Sequence, residues 1–161
     1  MAPDAAPPAS DRTDGARGLE AAIVDRMPLV IRALDQRDRR RITADVAGPA
    51  ALLIAKLHKV ADRIGQAGRS NDKDAHDVYR LLRGIDTGTL TAGIGGLFAH
   101  PLSAGVTREG VSHLERHFGA PMSSGCRMIV RAVGGDLLAD AETIAASCAA
   151  LAVDLLGAVR R

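Results

Sequence analysis

The sequence predicts an α+β fold: two or three strands near the N-terminus, followed by a mainly helical bundle. Three observations carry this. Between Leu19 and Val46 the β-favouring residues Ile23, Val24, Leu29, Val30, Ile31, Ile42 and Val46 fall in short runs, punctuated by Pro28 and the charged turn DQRDRRR at 35–41. From Pro49 onward, apolar residues recur at helical spacing instead. Aromatic content is 2% within a hydrophobic content of 47%, so the core must be aliphatic and alanine-rich, which favours helices. At 161 residues the chain is long enough for one domain that buries about 70% of its unfolded surface.

Residues 1–17, MAPDAAPPASDRTDGAR, have no periodicity and read as a disordered tail ahead of a single domain over 18–161. Strands are expected over Leu19 to Asp25, Leu29 to Leu34 and Arg41 to Val46. In the last of these Arg41, Thr43 and Asp45 share a face by period-two alternation. Asp45 there is either a strand-borne functional carboxylate or an ordinary solvent-facing residue.

The most informative stretch is Pro49 to Arg83, which holds all three lysines of the chain. Pro49 suits a first helical turn, and Leu52, Leu53, Leu57, Val60 and Ile64 form an apolar stripe with Lys56, Lys59 and Arg63 opposite. Gly65, Gly68, Ser70 and Asn71 interrupt the pattern, and Ser70, Asn71 or Asp72 is placed to cap a second helix to Arg83. Ala75, Val78, Leu81 and Leu82 give that helix its apolar side, while Asp74 and Asp77 project together from another. A short connection makes the two helices antiparallel neighbours and brings Lys56 and Lys59 toward Asp74 and Asp77. On residue types alone, the cations are equally a solvated helix side. The aspartates are equally first-turn acids favoured by the helix dipole, or salt-bridge partners of Lys73 and Arg80.

Beyond Gly84, helices are expected from Thr89 to His100, where Pro101 breaks the pattern, from Thr107 through Phe118, from Pro121 to about Val133, and from Asp140 to about Val159. This half reads as scaffold or as a surface that receives a protein partner. Several function classes drop out. The net charge of +2, with Tyr79, Phe98 and Phe118 scattered, offers no general nucleic-acid surface. Cys126 and Cys148 lack metal spacing and read as two buried thiols in a reducing compartment. No signal-peptide pattern is present and no apolar run is expected to span a bilayer, so the cytoplasm is the default. His58 and His76 lack the close spacing of a metal motif, and His113 with His117 lacks the flanking Glu of a zinc hydrolase helix. No Gly-x-Ser-x-Gly elbow supports acyl transfer, and GIGG at 93–96 lacks the Walker spacing of a phosphate loop.

The pattern AKLHK, a dozen residues, then DKDAHDVYRLL resembles the distal motifs of the nucleotidyltransferase superfamily, in its abortive-infection toxin (AbiEii-like) and minimal-nucleotidyltransferase branches. The resemblance covers Gly18 to Arg83, with 84–161 as a looser helical tail, and implies a truncated nucleotidyltransferase-like fold. It matches Lys56 to the family's helix lysine, Lys73 and Asp74 to its basic-acidic pair, and Asp77 to its second aspartate. By that match Lys56, Asp74 and Asp77 are the catalytic candidates, and Lys56, Lys59 and Lys73 the nucleotide-binding ones. A nucleoside triphosphate and Mg2+ are implied for an intact relative. The family's Gly-Ser pair followed about ten residues later by Asp-x-Asp, which holds the metals, is not in this sequence.

Overall fold

The computed structural model describes residues 17–64, 72–133 and 141–161. Among these, seven helices and two strands follow in the order α1 (Glu20–Val24), β1 (Arg26–Arg32), β2 (Arg41–Ala47), α2 (Pro49–Arg63), α3 (Lys73–Gly84), α4 (Thr87–Ala99), α5 (Ala104–Phe118), α6 (Ser124–Val133) and α7 (Ala141–Val159). The α+β class holds, with two antiparallel strands ahead of a helical body.

The expected strand over Leu19 to Asp25 is instead the short helix α1. Its β-branched Ile23 and Val24 were outweighed by tertiary packing: Ala21 is fully buried, and α1 packs on α2. Asp25 then ends the helix and starts the next two elements. Its backbone carbonyl accepts from Gly48 N at 2.8 Å, and its carboxylate accepts from Ala51 N at 2.8 Å, capping the first turn of α2 from outside the helix. A Cβ on Gly48 would lie 2.0 Å from the Asp25 carboxylate, so a side chain here would push that carboxylate off its bond to Ala51 N.

Strands β1 and β2 pair in the register Met27 with Val46, Leu29 with Ala44 and Ile31 with Ile42. Directly opposed residues share a face, so these six form one wholly apolar face of the hairpin. Met27, Leu29, Ile31 and Ile42 on it remain 44–65% exposed. The other face carries Arg41, Thr43 and Asp45, as the alternation predicts, and Asp45 there is exposed and 3.5 Å from Arg26. The hairpin stands on the helical body at its base and presents both faces to solvent.

Helix α2 is the hub of the body, packing against α1, α3, α4 and α5, with Leu53, Ile54, Leu57 and Val60 at most 1% exposed. The expected Ser70 and Asn71 caps lie outside the described residues. Asp72 takes the N-cap position of α3, yet its carboxylate receives Arg131 of α6 at 2.9 and 3.0 Å and makes no cap bond to the helix. Helix α4 begins at Thr87 because Asp86 accepts from Thr89 N at 3.0 Å. Helix α5 opens at Ala104, three residues before the expected Thr107. Thr107 lies inside it, its hydroxyl donating to the Ser103 carbonyl, while buried Ser103 donates to Leu97 O and closes the α4–α5 turn. Pro121 precedes α6 in a turn, and α6 starts at Ser124.

Cys126 and Cys148 are free and buried between α6 and α7, as expected. Helix α7 corrects another expectation. Its 19 residues reach a mean hydropathy of 1.6, enough by length and composition to cross a membrane, because alanines raise hydropathy without bulk. It packs against α3, α4, α5 and α6 through Ala145, Cys148, Ala149, Ala152, Leu155 and Leu156, with 33% of its apolar window buried.

Two glycines separate packing from propensity. A Cβ on Gly125 would lie 2.5 Å from the Phe118 ring and 2.6 Å from the His117 carbonyl oxygen, whereas one on Gly95 meets nothing within 4 Å. Gly125→Ala is expected to destabilise by about 1–3 kcal/mol through overpacking. Gly95→Ala, inside α4, is expected to stabilise by roughly 0.5–1 kcal/mol through helix propensity. Urea denaturation of the two variants checks both signs.

Candidate functional site

The antiparallel approach of α2 and α3 brings the sequence-predicted lysine and aspartates together. Lys56 Nζ donates to Asp74 Oδ1 and to Asp77 Oδ2, each at 2.7 Å. Arg63, two turns along α2 from Lys56, pairs with the second oxygen of Asp74, and Arg80 Nη1 lies 3.9 Å from the second oxygen of Asp77. Asp74 is buried and Lys56 nearly so, with side chains 9% and 23% exposed, so the charges meet where water screens them weakly. Both carboxylates sit on one face of α3 at i and i+3, turned toward α2 by the burial of Ala75, Val78 and Leu82.

Beside this cluster lies an open cleft of about 430 Å³, lined by Leu52, Lys56, Asp77, Arg80, Leu81 and Ile85. Its walls combine two cations, one carboxylate and an apolar strip, with Lys56 already bonded to Asp74 and Asp77. Lys59 and Lys73, the other nucleotide-binding candidates, are exposed and do not line this cleft. Asp45 and its strand do not line it either. A further cavity of about 490 Å³ lies within the hairpin tip between Arg32 and Arg41. Arg40 pairs with Asp38 there, holding that carboxyl below its usual range.

Spacing alone did not find a second cluster. His58 of α2 meets His113 of α5 edge to face, with ring centroids 5.2 Å apart, and His113 stacks on His117 at 5.8 Å. The sequence sets aside His58 and His76 as a metal pair for want of spacing, and the fold places His58 against α5. The available signal was that His58 follows Ile54 by four residues on the buried face of α2, and that Gly110 thins α5 three residues before His113. Burial pushes the His113 and His117 imidazoles below their ordinary range, and the neighbouring histidines add to it.

No family model matches the chain, no curated protein matches it, and no solved structure matches it.

The Asp77 carboxyl shows which force governs the first cluster. Burial raises its pKa, but the Lys56 hydrogen bond and charge, with the charges of Arg80 and Lys73, outweigh burial and hold it below the ordinary 3.8. A lowered folded pKa contributes stability that is complete above 3.8 and lost as pH falls through the folded value. The stability gap between wild type and Asp77→Asn is therefore expected to be constant near neutral pH and to shrink on acidification below about pH 4. Urea midpoints across that range measure it.

Proposed function

We propose that this chain is the distal portion of a nucleotidyltransferase-like protein of the toxin-associated kind, bearing the phosphate-steadying part of the site and incomplete for turnover by itself. The observation that carries this reading is the Lys56 ammonium held 2.7 Å from both Asp74 and Asp77 at the wall of a cleft shared with Arg80. Lys56 and Arg80 suit the phosphates of a nucleoside triphosphate, and Leu52, Leu81 and Ile85 suit its base. Asp74 and Asp77 orient the lysine. In an intact relative the implied reaction is attack by a hydroxyl of RNA, protein or a small molecule on the α-phosphate, releasing pyrophosphate.

Mg2+ does not fit these carboxylates. Asp74 faces Lys56 and Arg63 with its two oxygens, and Asp77 faces Lys56 and Arg80 with its own. A hard divalent cation needs carboxylate oxygens that are not already neutralised. The metal-holding carboxylates of such a reaction must come from elsewhere, in keeping with the lack of the Gly-Ser and Asp-x-Asp combination. The uncovered apolar face of the hairpin supports the same reading, since a face of that kind is ordinarily packed beneath another layer.

The same saturation favours a second reading: a noncatalytic interaction module, a remnant or antitoxin-like partner, in which Lys56, Asp74 and Asp77 are an interhelical staple. A thermal-shift titration with each of the four nucleoside triphosphates and magnesium separates the two. The first reading expects a saturable rise of roughly 5–10 °C at a hundredfold excess over Kd. Lys56→Ala should abolish the rise, and Arg80→Gln, a change at an exposed position, should weaken it. A flat response for every nucleotide, with Lys56→Ala and Asp77→Ala non-additive in stability by about 0.5–3 kcal/mol, selects the staple.

A further inference from the structure

Helix α2 carries Lys56 toward α3 and, two residues on, His58 toward α5. There His58, Glu109 and His113 each offer one ligand atom, all within 4.8 Å of one another. His113 has no hydrogen bond that accounts for its ring. Its Nδ1 is buried without a partner, and its Nε2 lies 3.9 Å from Glu109 Oε1, beyond hydrogen-bond reach. An orphaned buried nitrogen costs about 1–3 kcal/mol and calls for a physical cause, a bound ion among them.

Two atoms bound tetrahedrally to zinc at its usual bond lengths lie roughly 3.4 Å apart, so the present spacing needs only a small inward movement. The ring of His58 is already oriented, its Nε2 donating to the Val106 carbonyl at 2.9 Å, the kind of backbone contact that positions metal-ligating histidines. His117 stacks on the far side of His113 and is held to Ser124 Oγ at 3.0 Å. Glu109 is half-exposed, and its contact with Arg17 at 3.4 Å is long and open to solvent, so a dication can displace it. Gly110 lets the helices close on this point, since a Cβ there would meet Ile54 at 3.0 Å.

We propose that His58, His113 and Glu109 form a zinc site joining α2 to α5, with a fourth position left to water. It is separate from the Lys56 cleft and does not depend on the function proposed above.

The test uses the untagged full chain, stripped with chelator and titrated with zinc chloride by calorimetry and thermal shift. One equivalent should bind and raise the melting temperature. Glu109→Gln, at an exposed position, and His113→Gln should each weaken binding by at least about tenfold, while His76→Gln leaves it unchanged. Cobalt substitution gives a readout on the wild-type chain alone: intense visible bands of low-symmetry, four-coordinate cobalt are expected. Absence of a zinc-dependent rise, zinc binding that Glu109→Gln leaves intact, or a cobalt spectrum matching the free hydrated ion would each overturn the proposal.

Discussion

Everything in this fold depends on how closely other backbones approach α2. With 2% aromatic residues the core has little bulk to fill space, so burial must come from short distances between helices. Small residues provide them. A Cβ on Gly93 would lie 2.7 Å from that of Ala50, and Gly110 sits under Ile54. Gly18, at φ +88°, comes so close to α2 that a Cβ would be 3.0 Å from the Ala55 Cα. These contacts put helices on several sides of α2, and that placement sets both side-chain clusters.

Lys56 owes its position to this enclosure. It flanks the apolar stripe and its ammonium emerges between α2 and α3, where two carboxylates compensate the loss of water. The geometry ties α2 to α3 through these ion pairs. The lysine is held rigid by its neighbours, and Arg80 supplies a more exposed positive group at the cleft wall. On the function proposed above, an anionic ligand has to compete with carboxylates that are already in place, which would couple binding and interhelical stability at one residue.

Much of this was legible in the sequence where one periodicity dominated. The stripe from Leu52 to Ile64 identified α2, although Leu52 itself stays 39% exposed, the pair Asp74 and Asp77 identified the acidic face of α3, and the alternation around Thr43 identified β2 with its polar face. The misread elements were those decided by tertiary contact. Glu20–Val24 ends on two strand-favouring residues but lies as α1, because burying Ala21 against α2 outweighs the preference of Ile23 and Val24. Thr107 looks like a cap, yet its hydroxyl folds back on Ser103 within the helix. The histidine cluster was legible only in the place of His58 on the buried stripe of α2, since its members lie far apart in the chain and no local spacing records which neighbour α2 will turn His58 toward.

The apolar face of the hairpin also bears on how the chain behaves in concentrated solution. Two adjacent strands with Met27, Leu29, Ile31 and Ile42 open to water, and with no further strand on either edge among the described residues, are a template on which other extended chains can assemble. Pro28 removes one donor from the first edge, and the arginines at the tip repel like copies, both of which work against that assembly. That opposition depends on charge, so added salt, by screening the arginines, is expected to favour association through this face.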